Sequence, residues 1–293
     1  MRVLHVVPAP FDTKTGVIGG AERYAFELAR HMVRETPTRL VAFGDKESEE
    51  QVEGLGVRVI GGAKYVRGQR TNPIAAALIG ELRAADVVHC HQRHVLASSL
   101  SALFCRLSRR RVYVTELGGG GWDISGYLPT DRWYHGHLHI SEYSREVYGH
   151  RDKPYAHVIW GGVDLEKFAP GEVPAPRSAV VYAGRILPHK GIDDLVRAMP
   201  PTTDLQIIGR QSDGAYLAEL HRLAAAKRVI FRHDCDDRAL ADAYRGAICV
   251  VLPSVYRTMY GSETPSDSPS VSAGVVICSF VPDDNGEKGS APP

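Results

Sequence analysis

Long hydrophobic runs are missing from this sequence. No stretch of 18 apolar residues occurs, so nothing in it reads as a membrane span. The opening MRVLHVVPAPFD is too short an apolar run for a secretory signal and reads as a strand. Cysteine is scarce. Cys90, Cys105, Cys235, Cys249 and Cys278 are dispersed and never spaced Cys-x-x-Cys, which argues against a disulfide framework or a zinc knuckle and fits a reducing compartment. An excess of one charge is also lacking. Thirty-five Lys and Arg stand against 34 Asp and Glu, so no nucleic-acid partner is expected. The local exception is Arg106, Arg109, Arg110 and Arg111. It reads either as a solvated helix end or as a patch for anionic lipid headgroups or a phosphorylated acceptor. The dinucleotide fingerprint G-x-G-x-x-G is absent from the first loop, whose glycines are spaced G-x-x-G-G. Asp45, after the second strand, keeps a dehydrogenase as a minor alternative.

What is present fits an α/β protein. Apolar residues make up 44% and charged residues 24%, close to globular averages, so a packed core is expected. Short Val- and Ile-rich runs with little alternation recur at 2–7, 40–43, 57–60, 86–89, 112–115, 138–141 and 157–159, as expected of parallel strands buried on both faces. Helical patterns separate them; the clearest, 21–32, puts Ala21, Ala25, Leu28, Ala29 and Met32 on one face. The alternation predicts a doubly wound parallel sheet over residues 1–160. A proline-rich stretch closes a linker at 161–178. The pattern restarts with strands at 179–183, 205–208, 229–231 and 248–252 and helices at 193–199, 215–226 and 238–244, which predicts a second, partial domain over 179–260. Residues 261–293 change texture. Seven Ser, five Pro and three Gly among the 32 residues from Ser262 leave no helical period, so this tail reads as disordered apart from one apolar run at 274–281.

Two loops carry phosphate chemistry. Gly16, Gly19 and Gly20 lie between a strand and a helix start, where bare backbone and free N–H groups suit a phosphate. A plain tight turn is the bland reading of the same residues. Arg185 and Lys190 follow the strand at 179–183 and precede a helix; two fixed cations at a strand's carboxyl end suit a diphosphate. A solvated basic loop is the bland alternative there.

The segments GGAERYAFELARHM, HVIWGGVDLEKFAP, VVYAGRILPHKGIDDLVRAM and ADAYRGAICVVLPSVY together resemble glycosyltransferase family 4, the retaining group with the two-domain GT-B fold, over about residues 1–260. The resemblance implies that Gly19 and Gly20 lie by the donor phosphates and that Arg185 and Lys190 contact the diphosphate. Gly209, Pro253 and Ser254 complete the implied donor-binding set. It also implies a nucleotide-sugar donor, UDP- or GDP-linked, an acceptor that is a glycan, lipid-linked or a small molecule, no cofactor and no metal. A cytoplasmic location follows, with peripheral contact at the inner face of a membrane. Gly161 stands where the family has Asn, and Leu117 where many members carry a catalytic His.

Two further features are weighed separately. His89, Cys90, His91 and His94 offer four ligands in six residues, but a strand sends Cys90 away from both its neighbours, so no zinc site is expected. His89 and His91 remain catalytic candidates at a strand's carboxyl end. Gly118, Gly119, Gly120 and Gly121 pack nothing and suggest backbone close to a ligand on the acceptor side. Trp122 is a candidate to stack on a sugar, and Asp123 to bind its hydroxyls, which makes Asp123 the third catalytic candidate.

One expected motif is missing. The family continues from its "PS" strand end into a helix with two glutamates eight positions apart; here Glu263 is followed eight positions on by Val271. The sequence therefore reads as a glycosyltransferase whose C-terminal domain is truncated or altered and whose activity is impaired. A non-catalytic scaffold and a GT-B sugar-nucleotide epimerase are the alternatives.

Overall fold

The computed structural model describes residues 1–10, 19–117, 122–171, 178–211, 213–254 and 276–278. The chain divides into two compact units, Met1–Gly162 and Val163–Pro293. The structural boundary falls at the start of the stretch expected to be a linker.

The first unit runs β1 (Val3–Pro10), α1 (Gly20–Met32), β2 (Thr38–Phe43), β3 (Ser48–Val52), β4 (Leu55–Ile60), the short β5 (Lys64–Tyr65) and β6 (Pro73–Ile74), α2 (Leu78–Ala84), β7 (Val87–His91), α3 (Leu96–Leu107), β8 (Arg111–Glu116), β9 (Gly136–His139), α4 (Glu142–Val147) and β10 (Ala156–Val158). Eight of these strands form one sheet in the order β10-β9-β8-β7-β1-β2-β4-β3. Every pairing is parallel except β3 with β4. Alternate residues serve opposite faces. Leu4, Val6, Val88, Cys90, Val112 and Val114 pack beneath α2 and α3, while Val7, Leu40, Ala42, Val57 and Val59 pack against Ala25 and Ala29 of α1. The face of α1 that meets the sheet is thus narrower than expected, since Ala21, Leu28 and Met32 are only half-buried.

The sequence pattern did not predict β3. Its run SEEQV is polar because it forms the sheet's edge, where charge discourages pairing with other chains. Glu53 and Gly54, both at positive φ (50° and 85°), make the two-residue turn that returns it along β4.

The second unit runs β11 (Ala179–Ala183), α5 (Ile192–Ala198), β12 (Asp204–Ile208), α6 (Gly214–Ala224), β13 (Val229–Arg232), α7 (Asp237–Arg245), β14 (Ala247–Leu252) and β15 (Val276–Cys278), with sheet order β13-β12-β11-β14-β15. Val180, Tyr182, Leu205 and Ile207 pack under α5 and α6; Val181 and Ile208 face the opposite side with Ala243 of α7. The apolar run expected at 274–281 does contain a strand, β15. It pairs antiparallel with β14, unlike a strand that follows a crossover helix.

Central and edge positions of the second sheet should respond differently to truncation. Ile207 is 0% exposed and Ile230 56%. Ile207→Ala should destabilise that unit by about 2–5 kcal/mol, and Ile230→Ala by about 0.5 kcal/mol or less. Urea midpoints of the two variants check this; equal losses would contradict the packing described.

Candidate functional site

In the second unit the chain lays β12 and β13 to one side of β11, then crosses to place β14 on the other. Loops leaving β11 and β14 diverge at their carboxyl ends, the position where doubly wound sheets bind ligands. The first of these loops carries Arg185 and Lys190, and Pro253 and Ser254 follow the second. Pro253 is buried and Ser254 half-buried.

The β11 loop is held by its own strand. Tyr182, 1% exposed, turns its hydroxyl to donate to the Arg185 carbonyl at 2.9 Å. Ile186 pairs with Gln211, and its amide donates to the Arg210 carbonyl at 3.2 Å, so the loops after β11 and β12 lie side by side. Their approach needs two glycines, Gly184 at φ 159° and Gly209 at φ 156°; a Cβ at Gly209 would collide with the Gly184 carbonyl oxygen. Gly209 was expected as a donor contact; in the structure it has this packing role.

Arg185 is exposed and Lys190 half-buried. Burial, and then the neighbouring Arg185, hold the Lys190 ammonium below its ordinary range. His189 is lowered by burial and by both cations. Neither Arg185 nor Lys190 has a carboxylate partner among the described residues. The nearest acids in sequence are engaged elsewhere: Arg197 donates to Asp193 and Asp194, and the Tyr216 hydroxyl donates to Asp193. Among the described residues these two adjacent cations, one partly desolvated, lack a counter-charge that an anion would supply.

The first unit has its own divergence point, between β1 and β7. Gly19 is the N-cap of α1 in extended conformation, and Gly20 opens the helix with empty space where a side chain would stand. Glu22 folds back over Gly19, so a carboxylate already stands at this helix end. Gly16 and Gly118–Gly121 lie outside the described residues.

His89 and His91 share one face of β7, and Cys90 packs in the core of the other, as the strand period requires. His5 of β1 joins the two histidines, a partner that the local sequence pattern did not reveal. One ring nitrogen of the pair His5 Nδ1 and His91 Nε2 donates to the other at 2.8 Å, and His89 Nε2 meets Thr115 Oγ1 at 2.6 Å. Ring centroids lie 4.2 to 5.1 Å apart. Burial lowers all three imidazoles, His89 to about 4, and so keeps them neutral. The outer nitrogens, His5 Nε2 and His91 Nδ1, are buried without a hydrogen-bond partner among the described residues. An unmet buried donor costs about 1–3 kcal/mol. His94, by contrast, lies apart, against Ser125 and stacked on Tyr148.

The sheet's other face holds a second polar cluster. Arg93 pairs with Asp131, His150 Nε2 lies 3.4 Å from Asp131 Oδ2, and His139 Nε2 lies 3.0 Å from His150 Nδ1. Burial favours a neutral Asp131 carboxyl, but His150 and Arg93 outweigh it and bring the group down to about 2.

Asp123 does not fit the role expected of it. It is 4% exposed, and both oxygens accept from Ser99 Oγ while Oδ1 also caps the turn at Ser125 N. An acid this enclosed and satisfied holds the loop rather than binding a sugar. Trp122 is also engaged: Arg67 lies 4.8 Å over its ring, and the fully buried Asn72 donates to its carbonyl at 2.6 Å. The basic cluster resolves in part towards the structural reading. Arg106 donates to the Arg132 carbonyl, and Arg110 to the carbonyls of Ala85 and Arg83 just after and within α2. A depression of about 390 Å³ bordered by Arg2, Thr38, Arg39 and Glu81 opens at the amino ends of β1 and β2, the wrong end of the sheet for a ligand site of this fold.

Residues 18–167, just over half of the chain, match the family model Glycosyltransferase Family 4. The chain belongs to this family. Residues 177–263 match a second model, Glycosyl transferases group 1. A GDP-mannose:cellobiosyl-diphosphopolyprenol alpha-mannosyltransferase of Xanthomonas campestris is 27% identical, over 73% of this chain and 61% of its own length. The D-inositol 3-phosphate glycosyltransferase 2 of Catenulispora acidiphila is 36% identical over 34% of this chain and 29% of its own. The family 4 chain thus spans about three fifths of the mannosyltransferase it matches. Sucrose-phosphate synthase of Thermosynechococcus elongatus shares the fold with a TM-score of 0.60 at 17% identity, covering 86% of this chain and 75% of that one. The GT-B assignment is thereby met. No helix among the described residues is long and apolar enough to cross a membrane.

The reassignment of Asp123 has a measurable consequence. Asp123→Ala removes a cap and strands Ser99, and should destabilise the first unit by about 1–2 kcal/mol. A chain that unfolds in urea at an unchanged midpoint would restore Asp123 as a free ligand-binding group.

Proposed function

We propose that this family 4 chain binds a nucleoside-diphosphate sugar through Arg185 and Lys190, and that it derives from a retaining transferase that passes the sugar to an acceptor hydroxyl. The observation carrying this reading is the pair of cations without carboxylate partners among the described residues, set at the switch point of the second sheet on a loop pinned by Tyr182. An Arg fork grips two phosphate oxygens and a Lys supplies a point charge, so the leaving diphosphate is stabilised without a metal. Catalysis of this kind works by electrostatic preorganisation and positioning. A GDP-linked hexose and a lipid-linked acceptor are favoured over the other donors and acceptors, because the relative that matches the larger share of the chain is named for both. Such an acceptor would bring the chain to the inner face of a membrane.

Turnover by the 293-residue chain is proposed to be impaired. Val271 stands where the family resemblance requires the second glutamate, and that position lies outside the described residues. Near-attack geometry tolerates little misplacement, so the loss of a donor anchor costs more than the cations offset. The test combines binding with activity. Calorimetry with GDP and UDP should show binding that Arg185→Ala and Lys190→Ala each weaken by roughly 1.5–3 kcal/mol, about ten- to a hundredfold in Kd. Unchanged affinity in both variants would overturn the site. Incubation with UDP-, GDP- and ADP-sugars should give no measurable transfer; robust turnover would overturn the impairment while leaving the binding site intact.

A further inference from the structure

We propose that His5, His89 and His91 form a binding site for one divalent transition-metal ion of the zinc class in the first unit. Their ligand nitrogens all lie within 4.8 Å of one another, and the three residues are 0%, 7% and 2% exposed. Two adjacent parallel strands create the convergence. His5 and His89 are register partners across β1 and β7, and His91 lies one pleat further along the same face. Neutral imidazole is a preferred ligand of zinc, and three protein ligands with a fourth position left for water is an established coordination pattern.

The hydrogen bonding of the three rings is not closed among the described residues. In the His5–His91 contact one ring must donate and the other accept. If His5 Nδ1 donates, the His5 Nε2 lone pair faces no donor; if His91 Nε2 donates, the His91 Nδ1 lone pair faces none. The ligand atoms are the converging nitrogens, His5 Nδ1 and His91 Nε2 among them; in either tautomer an outer ring nitrogen also stays buried without a partner among the described residues. Binding by all three rings replaces the His5–His91 hydrogen bond. Tetrahedral ligands of a zinc ion stand about 3.3 Å apart, so the 2.8 Å pair opens slightly and the wider separations close. Thr115 Oγ1 on His89 Nε2 is already in place as an outer partner that orients a ligating ring.

A competing cluster, Asp131, His137 and His150, also has metal-compatible spacing. There the Arg93 guanidinium already pairs with Asp131, and His150 is tied to His139, so a cation would meet a positive charge and an occupied ring. Among the described residues the contacts of the first triad are the histidines themselves, Thr115 and the edge of Tyr24, none of which is charged.

The site is tested on the full chain, stripped with a chelator and titrated with cobalt(II) and then zinc(II). One equivalent of cobalt should give the intense visible bands of a tetrahedral site, and zinc should bleach them. His91→Gln should abolish the bands and His150→Gln should leave them. Absence of the bands, or bands that survive His91→Gln and vanish in His150→Gln, would overturn the proposal. Should His91→Gln fail to fold by circular dichroism, X-ray absorption at the zinc edge of the unaltered chain decides. Three imidazole nitrogens at about 2.0 Å support the site, and a shell without them overturns it.

Discussion

Parallel pairing of strands buried on both faces governs both units of this chain. It requires a crossover for each added strand and therefore gathers all the carboxyl-end loops at one end of the sheet. In the second unit this brings the loops after β11, β12 and β14 together. In the first it brings His5 of β1 beside His89 and His91. Both candidate sites stem from the point at which the chain reverses its direction of strand addition.

At these points the protein tolerates arrangements that its cores exclude. Lys190 loses part of its hydration beside another cation. Gln92, immediately after β7, takes φ 111°, a strained value for a residue with a side chain. The three histidines are kept neutral by burial, and two ring nitrogens find no partner among the described residues. Asn72 shows the opposite case, bridging the start of α3 and the Trp122 carbonyl.

The Val- and Ile-rich strands were legible in the sequence because double-sided burial leaves a continuous apolar run; β11 coincides with the stretch expected, 179–183. β3 was not, because an exposed edge strand has no reason to be apolar. Arg185 and Lys190 could be placed from their position between strand and helix. The Tyr182 clamp could not, since a tyrosine in a strand gives no sign of which carbonyl its hydroxyl reaches. Asp123 was misread because an acid after a glycine run looks alike whether it caps a turn or waits for a sugar; Ser99, which accounts for one of its contacts, lies 24 positions away. His5 escaped for a related reason: metal spacing was sought within one strand, while the third histidine of the cluster came from the neighbouring one.

The central claim is that Arg185 and Lys190, on the loop after β11, bind a diphosphate. A crystal structure of the chain with GDP tests this most directly. The account predicts diphosphate oxygens within hydrogen-bonding distance of the Arg185 guanidinium and Lys190 Nζ, with the loop held by Tyr182 as described. A nucleotide seated at any other arginine, with Arg185 and Lys190 still facing solvent, would contradict it.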